Sequence, residues 1–136
     1  MATADTSVVV AVLSGWHEHH ELALAEARNV NRLPAHVLLE ASSVLTRLPG
    51  GLARPLAEVV DALEVSFGGP VLTLPGSQHH ALLKTLTQAG LGGGDVYDGL
   101  IAATARHHGA RLLTLDQRAR PIYRAVGAQI TQLIVD

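Results

Sequence analysis

The chain has 136 residues, which fits one domain over residues 1–136 with a substantial hydrophobic core. Apolar residues make up 48%, charged residues 16% and aromatic residues 3% of the chain, so the core has to consist mainly of Leu, Val and Ala. So few aromatic rings argue against a protein that binds nucleic acid mainly by stacking bases on them. A formal net charge of −2 excludes a global basic field, and the lack of cysteine excludes disulfides and thiolate metal sites.

The apolar segments are short. None approaches the roughly 20 residues of a membrane span, and no basic segment precedes the apolar residues 8–13 as it would in a signal peptide. We therefore expect a cytoplasmic protein that makes no contact with a membrane.

Helices and short strands alternate along the chain. The predicted elements are a strand end at 2–5, helices at 8–13, 17–28, 34 to the break at 49–51, and 54–67, a strand at 71–74, helices at 77–89 and 96–105, a strand at 111–115, a helix at 121–126 and a strand at 129–135. This alternation predicts an α/β fold of three layers, in which helices flank a mostly parallel central sheet of four to five strands.

The predicted helix at 96–105 follows a glycine-rich loop and is apolar on nearly every side, which predicts a buried helix. Asp95 is its predicted N-cap, and Asp98 stands where the acid of a capping box stands. Acids are rarely buried unless they are paired or bound to a cation, but the helix dipole alone also explains an acid in the first turn. Thr6 or Ser7 is the predicted N-cap of the first helix, and Ser77 that of the helix at 77–89.

Four acids are candidates for a common site. Asp5 and Asp116 each follow a predicted strand, and sites in parallel sheets form outside the carboxyl ends of the strands. Asp98 begins the helix that precedes the second of these strands. Glu40 lies on the flank of an apolar helical stripe, where a pair with Arg47 or simple exposure to water is the structural alternative to a functional role.

Acids that gather where water is scarce raise one another's pKa values, and a divalent cation relieves that repulsion. Mg²⁺ takes carboxylates and waters as ligands and can activate a water for attack on a phosphodiester. Competing motifs are weak: the WHEHHE segment has Glu21 where a zinc motif needs its second His, and the glycines at 92–94 lack the Lys of a phosphate loop.

At these residues the sequence resembles a known family. The segments that carry the resemblance are Asp5-Thr6-Ser7, Pro34 with Glu40 in a Leu-rich helix, VYDGLIAATA at 96–105, and Thr114-Leu115-Asp116. They resemble the signature of PIN-domain ribonucleases, and most closely that of the VapC toxins of bacterial VapBC toxin–antitoxin pairs. The resemblance covers essentially the whole chain, and its most specific part is the YD-x-LIAATA segment, in which Gly99 stands where alanine is common.

The resemblance implies a catalytic site in which four acids surround one or two Mg²⁺ or Mn²⁺ ions, namely Asp5, Glu40, Asp98 and Asp116. Asp5 and Asp98 are implied as direct ligands, and the other two acids as ligands that bind directly or through water. The implied supporting residues are Thr6, Thr114 and Asp95, the last as a helix cap first and a metal neighbour second.

The resemblance also implies a homodimer, a cognate VapB-like antitoxin that blocks the site, and cleavage of structured RNA such as tRNA, rRNA or mRNA. The arginines that are candidates for phosphate contact are Arg47, Arg118, Arg120 and Arg124, although surface solubility explains them nearly as well.

Two other functions stay open at this point. The first is a catalytically silent PIN-like module that binds RNA or protein. The second is a phosphohydrolase with Asp5 as nucleophile, which would favour an acid where Ser7 stands and a well-placed lysine, whereas Lys84 is the only lysine in the chain.

Overall fold

The computed structural model describes residues 1–134; the end of the last predicted strand, residue 135, lies outside them. The elements are β1 (Ala2–Ala4), α1 (Thr6–Leu13), α2 (His20–Glu26), α3 (Ala35–Thr46), α4 (Leu56–Phe67), α5 (His79–Gln88), α6 (Asp95–His107), β2 (Arg111–Thr114), α7 (Arg120–Val126) and β3 (Ile130–Gln132). Short 3-10 turns precede α5 and α7, at Gly76–Gln78 and Gln117–Ala119. Within this part of the chain, no helix is long and apolar enough to span a membrane.

The three strands form one parallel sheet with β2 in the middle, in the order β1-β2-β3. Ala4 pairs with Leu113, and the backbone N–H of Asp5 donates to the carbonyl of Leu113 over 3.0 Å. Because the strands are parallel, their carboxyl ends meet at one edge of the sheet. The predicted α/β class is confirmed, and Asp5 follows directly on the end of β1.

The predicted count of four to five strands is wrong for residues 1–134. The segment at 71–74 forms a single parallel bridge, between Leu72 and Pro34, in which the N–H of Ala35 donates to the carbonyl of Leu72 over 2.9 Å. Proline has no N–H to donate, and Pro34, Pro70 and Pro75 all lie at or beside this pairing. Pro70 therefore cannot donate to extend the ladder backward, and the ladder ends in the forward direction because α3 begins at Ala35.

The core lies between the sheet and the helices that cover it. Leu112 on β2, Val8 on α1 and Ile101 on α6 are at most 1% exposed. Burying an apolar side chain of this size stabilises the fold by about 1.5–3 kcal/mol. These contacts fix α1 and α6 against the sheet, and with them the acids at the start of each helix.

Gly99 has a packing role in α6. A Cβ at this position would lie 3.0 Å from both terminal methyl carbons of Leu86 on α5. Glycine weakens a helix by about 1 kcal/mol relative to alanine, but here it lets α5 approach closely. The close packing of Leu86 thus explains why glycine stands here, where alanine is common in the family pattern.

The observed helix caps differ from the predicted ones. Asp5 caps α1, in place of Thr6 or Ser7, and Ser77 lies inside the 3-10 turn before α5. Asp95 is the first residue of α6 and makes no capping hydrogen bond. The reason is that the N–H groups of residues 95–97 already donate to the carbonyls of residues 92–94, so none of these three awaits a side-chain cap.

Candidate functional site

The Asp5 carboxylate lies at the centre of a buried hydrogen-bond network at the sheet edge. Asp5 is 2% exposed, and its Oδ1 accepts from Ser7 Oγ over 2.5 Å and from the N–H of Val8 over 3.3 Å. Its Oδ2 accepts from Thr114 Oγ1 over 2.5 Å and from the hydroxyl of Tyr123 over 2.8 Å. We call Asp5, Ser7, Thr114 and Tyr123 the Asp5 cluster.

Burial raises the pKa of Asp5, while the hydrogen bonds from Ser7, Thr114, Tyr123 and the Val8 backbone act in the opposite direction. Burial likewise raises the pKa of Tyr123, and the nearby Asp5 charge raises it further. The phenol therefore keeps its proton and donates a hydrogen bond to the carboxylate.

The hydroxyls of the Asp5 cluster also bind the chain that follows β2. Ser7 Oγ accepts from the N–H of Leu115, and Thr114 Oγ1 accepts from the N–H of Asp116, both over 2.9 Å. Each of these two hydroxyls thus donates to Asp5 and accepts from a backbone N–H of the segment after β2. The ends of β1 and β2 are joined through side chains as well as through the sheet.

The other acids surround an arginine. The guanidinium of Arg118 lies 3.3 Å from Asp98 Oδ2, 3.4 Å from Asp116 Oδ2 and 3.9 Å from Asp95 Oδ1. Its side chain is 67% exposed, whereas that of Asp98 is 17% exposed. We call Arg118 with these three aspartates the Arg118 cluster; it brings together the start of α6 and the turn after β2.

The charges in this region act on one another. Burial raises the pKa of Asp98, Arg118 lowers it, and the Asp116 and Glu40 carboxylates raise it. Asp116 and then Asp98 raise the pKa of Arg118, so the guanidinium stays charged. Electrostatic coupling among these groups is what the sequence predicts for acids collected in one site.

Glu40 reaches the site from α3. Its Oε1 accepts from Thr6 Oγ1 over 2.5 Å, and its Oε2 lies 3.3 Å from His36 Nε2. The alternative pair with Arg47 is wrong, because the Nε of Arg47 donates to Ser43 Oγ over 3.2 Å. Thr6 therefore holds Glu40 at the start of α1, one residue beyond Asp5.

The other candidate arginines lie apart from these acids. Within residues 1–134, Arg118 is the arginine that comes within 4 Å of a candidate acid. Arg47, directly after α3, and Arg124 on α7 are exposed. The Nε of Arg120 is buried without a hydrogen-bond partner among the described residues. Contact of these arginines with RNA stays a prediction.

Three residues of the site had roles that sequence reasoning missed. Ser7 donates to the carboxylate of Asp5, two residues before it, and this short spacing was the signal that could have indicated the contact. Arg118 lies two residues after Asp116, which already indicates that the two charges can meet. Tyr123 is 118 residues from Asp5 and has no local signal at all.

The donor set suits a hard divalent cation, because every ligand atom is a carboxylate oxygen and the repulsion between the acids is only partly offset by Arg118. As the side chains stand, however, no three His, Asp or Glu residues of the described chain converge closely enough to enclose an ion. The site therefore fits Mg²⁺ or Mn²⁺ in its chemistry, while its side chains are arranged around the guanidinium.

The fold agrees with the comparison to known families. A family model for the PIN domain matches residues 2–125, and the chain belongs to the PIN-domain family. Its relatives within the family are VapC ribonucleases: the chain is 35% identical to ribonuclease VapC40 of Mycobacterium tuberculosis over 130 residues, which are 96% of this chain and 97% of that protein. The resemblance seen in the sequence is confirmed.

Solved structures share the fold. VapC20 of Mycobacterium tuberculosis, described as a sarcin-ricin loop cleaving toxin, has a TM-score of 0.70 at 20% identity, over 94% of this chain and 96% of that chain. VapBC2 of Rickettsia felis, bound to a DNA fragment from its promoter, has a TM-score of 0.67 at 16% identity, over 96% and 97% of the two chains.

Proposed function

We propose that this protein is an endoribonuclease toxin of a toxin–antitoxin pair that depends on Mg²⁺ or Mn²⁺. The observation that carries the proposal is that Asp98 and Asp116 converge on one cationic group at the sheet edge that Asp5 also occupies. Membership of a family whose relatives are named ribonucleases supports the choice of RNA as substrate.

In this proposal Asp98 and Asp116 hold the ion together with Asp5, and Glu40 completes the set directly or through water. When bound, the ion supplies an activated water and neutralises charge on the phosphorus oxygens. All four acceptor positions of Asp5 are filled, but three of its donors are hydroxyls that can rotate away. In this proposal one of these hydroxyls gives up its hydrogen bond to Asp5 when the carboxylate binds the ion.

Glu40 has the geometry of a general base. Thr6 donates to Oε1 and fixes the carboxylate, while Oε2 has only the longer contact to His36 and a side chain that is 35% exposed. Oε2 is thus the atom that takes the proton of the attacking water. Asp116 is less available, since it accepts from the backbone N–H of Arg118 over 3.0 Å and pairs with the guanidinium.

In this proposal the guanidinium of Arg118 moves away from the acids when the metal ion binds. Two thirds of its side chain is exposed, and an exposed ion pair contributes only about 0.2–1 kcal/mol. The guanidinium can turn to solvent or to a phosphate of the substrate, where its planar donors bind two oxygens at once.

A catalytically silent PIN-like module that binds RNA or protein is the second candidate. The arrangement of the acids around Arg118, without a ready enclosure for an ion in residues 1–134, favours it. The two candidates differ in whether the protein cuts RNA and whether its acids bind a metal.

For the partners we propose structured RNA as substrate, a homodimer, and a VapB-like antitoxin. An apolar cleft of about 560 Å³ between α3 and α4 is the surface we assign to an amphipathic helix of the antitoxin. Leu39, on the wall of this cleft, is 69% exposed. We expect Leu39→Asp to abolish inhibition by the cognate antitoxin. Val65→Asp, at an exposed position of α4 outside the lining of the cleft, should preserve inhibition.

RNA cleavage by the purified protein tests the proposal. We expect cleavage with Mg²⁺ or Mn²⁺, none with EDTA, and a loss of at least about a hundredfold in Asp98→Asn, because a metal ligand and its charge are removed. Asp61→Asn, an equal change at an exposed position of α4, is the matched control and should cut like the wild type. Metal-independent cutting, or full cutting by Asp98→Asn, would contradict the proposal.

A further inference from the structure

Two aromatic rings from different helices stack on each other beside the acids. The rings of Tyr97 on α6 and His36 on α3 have centroids 5.0 Å apart and planes inclined by only 2°. Tyr97 is 56% exposed although His36 covers one face of its ring. More than half of the Tyr97 surface thus stays accessible beside the stack.

The stacked pair adjoins the candidate site on both of its helices. Tyr97 directly precedes Asp98, and His36 lies one helical turn before Glu40, with its Nε2 3.3 Å from Glu40 Oε2. The contact with Glu40 fixes the imidazole, and the imidazole supports the phenol. An RNA whose phosphate lies at Asp98 and Glu40 has the next nucleotide within reach of these rings.

The negative charge of the site makes a contact that does not depend on charge useful for binding RNA. The acids repel a phosphate backbone, and the net charge of the chain is −2, so ionic contacts alone give little affinity for RNA. Stacking of a base on an aromatic ring contributes about 1–3 kcal/mol and needs no positive charge. One well-supported ring can thus supply affinity at the point where the electrostatics oppose it.

We propose that Tyr97, supported by His36, is a stacking subsite for an unpaired base next to the phosphodiester that is cut. This inference rests on the proposed ribonuclease function and names the feature of the substrate that the site recognises. Bases within a duplex are stacked on their neighbours, so the subsite selects loops and single strands. Because every base has a π-face, it selects unpaired structure more than sequence.

Another exposed aromatic residue provides a matched control. Trp16 is 52% exposed, but it lies beyond the C-terminal end of α1, whereas Asp5 caps the N-terminal end of that helix. Its ring contacts His17, with centroids 5.7 Å apart. Loss of an exposed ring in general can therefore be separated from loss of the ring beside the acids.

The test measures binding of short unstructured RNAs that carry one 2-aminopurine, with Asp98→Asn in Mg²⁺ as the non-cutting background. We expect Tyr97→Leu to weaken the Kd roughly tenfold and to remove the fluorescence quenching that stacking produces. Tyr97→Phe and Trp16→Leu should retain both. An abasic nucleotide is then moved along the RNA one position at a time. At one position it should weaken binding to the Asp98→Asn protein by the same factor. At that position it should leave the Kd of the protein that also carries Tyr97→Leu unchanged.

That last comparison separates stacking from a structural role of Tyr97, because a purely structural effect would add to the effect of the abasic nucleotide. Equal Kd values for Tyr97→Leu and Tyr97→Phe, no position with this coupling, or no binding of these RNAs would overturn the proposal. Cleavage by the wild type is scored separately. If the wild type cleaves RNA but Tyr97→Leu and the abasic nucleotide show no coupling, only the stacking subsite is rejected. If the coupling is found but the wild type does not cleave RNA, only the nuclease function is rejected.

Discussion

The Asp5 cluster and the Arg118 cluster lie at the same edge of the sheet but differ in how they are held. Asp5 is 2% exposed and accepts four hydrogen bonds of 2.5–3.3 Å. Arg118 is 67% exposed, and its ion pairs span 3.3–3.9 Å. Hydrogen bonds to a charged group contribute about 1.5–3 kcal/mol each, exposed ion pairs about 0.2–1 kcal/mol.

This difference indicates a division of labour. The Asp5 cluster fixes the ends of β1 and β2 relative to each other, because its hydroxyls bind both segments. The Arg118 cluster holds its acids together with a cationic side chain that can leave at small cost. The Asp5 cluster is therefore expected to stabilise the fold, and the acids of the Arg118 cluster are expected to exchange the guanidinium for another cation.

The largest effect on stability is expected for Asp5→Ala. The change removes the N-cap of α1 and leaves the buried hydroxyls of Thr114 and Tyr123 without their acceptor. A lost cap costs about 1 kcal/mol and an unsatisfied buried group about 1–3 kcal/mol, so the unfolding free energy should fall by about 3 kcal/mol. Urea denaturation with EDTA measures it, with Asp61→Ala as control. A loss of less than about 1 kcal/mol would show that Asp5 is not a structural centre.

A smaller loss is expected for Tyr123→Phe. The phenol is 1% exposed and donates to Asp5 Oδ2 over 2.8 Å. Removal of one buried hydrogen bond to a carboxylate should lower the unfolding free energy by about 1–2 kcal/mol. Tyr97→Phe removes an exposed hydroxyl and should change it by less than about 0.5 kcal/mol. Equal effects of the two changes would remove the distinction between the buried and the exposed region.

The smallest effect is a pH dependence at Asp98. Its pKa is raised above the ordinary value of 3.8, mainly by burial, so its contribution to stability is present below pH 3.8 and is lost as the pH rises through the raised pKa. Without metal, Asp98→Asn should therefore gain stability relative to the wild type as the pH rises through this window. Denaturation series at several pH values measure the difference. A loss of stability of Asp98→Asn relative to the wild type as the pH rises would contradict the assigned direction.

Local patterns carried most of what the sequence could predict. The helices at α3, α4 and α6 follow from apolar spacing and from proline or glycine at their ends. Asp5 and Asp116 could be placed at the sheet edge because each follows a recognisable strand. These predictions need only neighbouring residues and the rule that parallel strands end together.

Contacts between distant segments decided the rest. The bridge between Pro34 and Leu72 depends on how two proline-flanked segments meet, so its restriction to one pair had no periodic signal. Asp95 has the composition of a cap, yet the loop backbone had already taken the N–H groups it would bind. The stack of His36 on Tyr97 joins two helices, and each residue alone reads as an ordinary surface side chain.

Calorimetric titration with Mn²⁺ tests the central claim, that the acids around Arg118 form a cation site. Asp98→Asn removes a ligand and should abolish binding, whereas Arg118→Gln removes the competing guanidinium and should tighten binding about fivefold, the equivalent of roughly 1 kcal/mol for a group of exposed ion pairs. Arg124→Gln, an exposed change on α7, should bind like the wild type. Binding that survives Asp98→Asn, or that weakens in Arg118→Gln, would contradict the account.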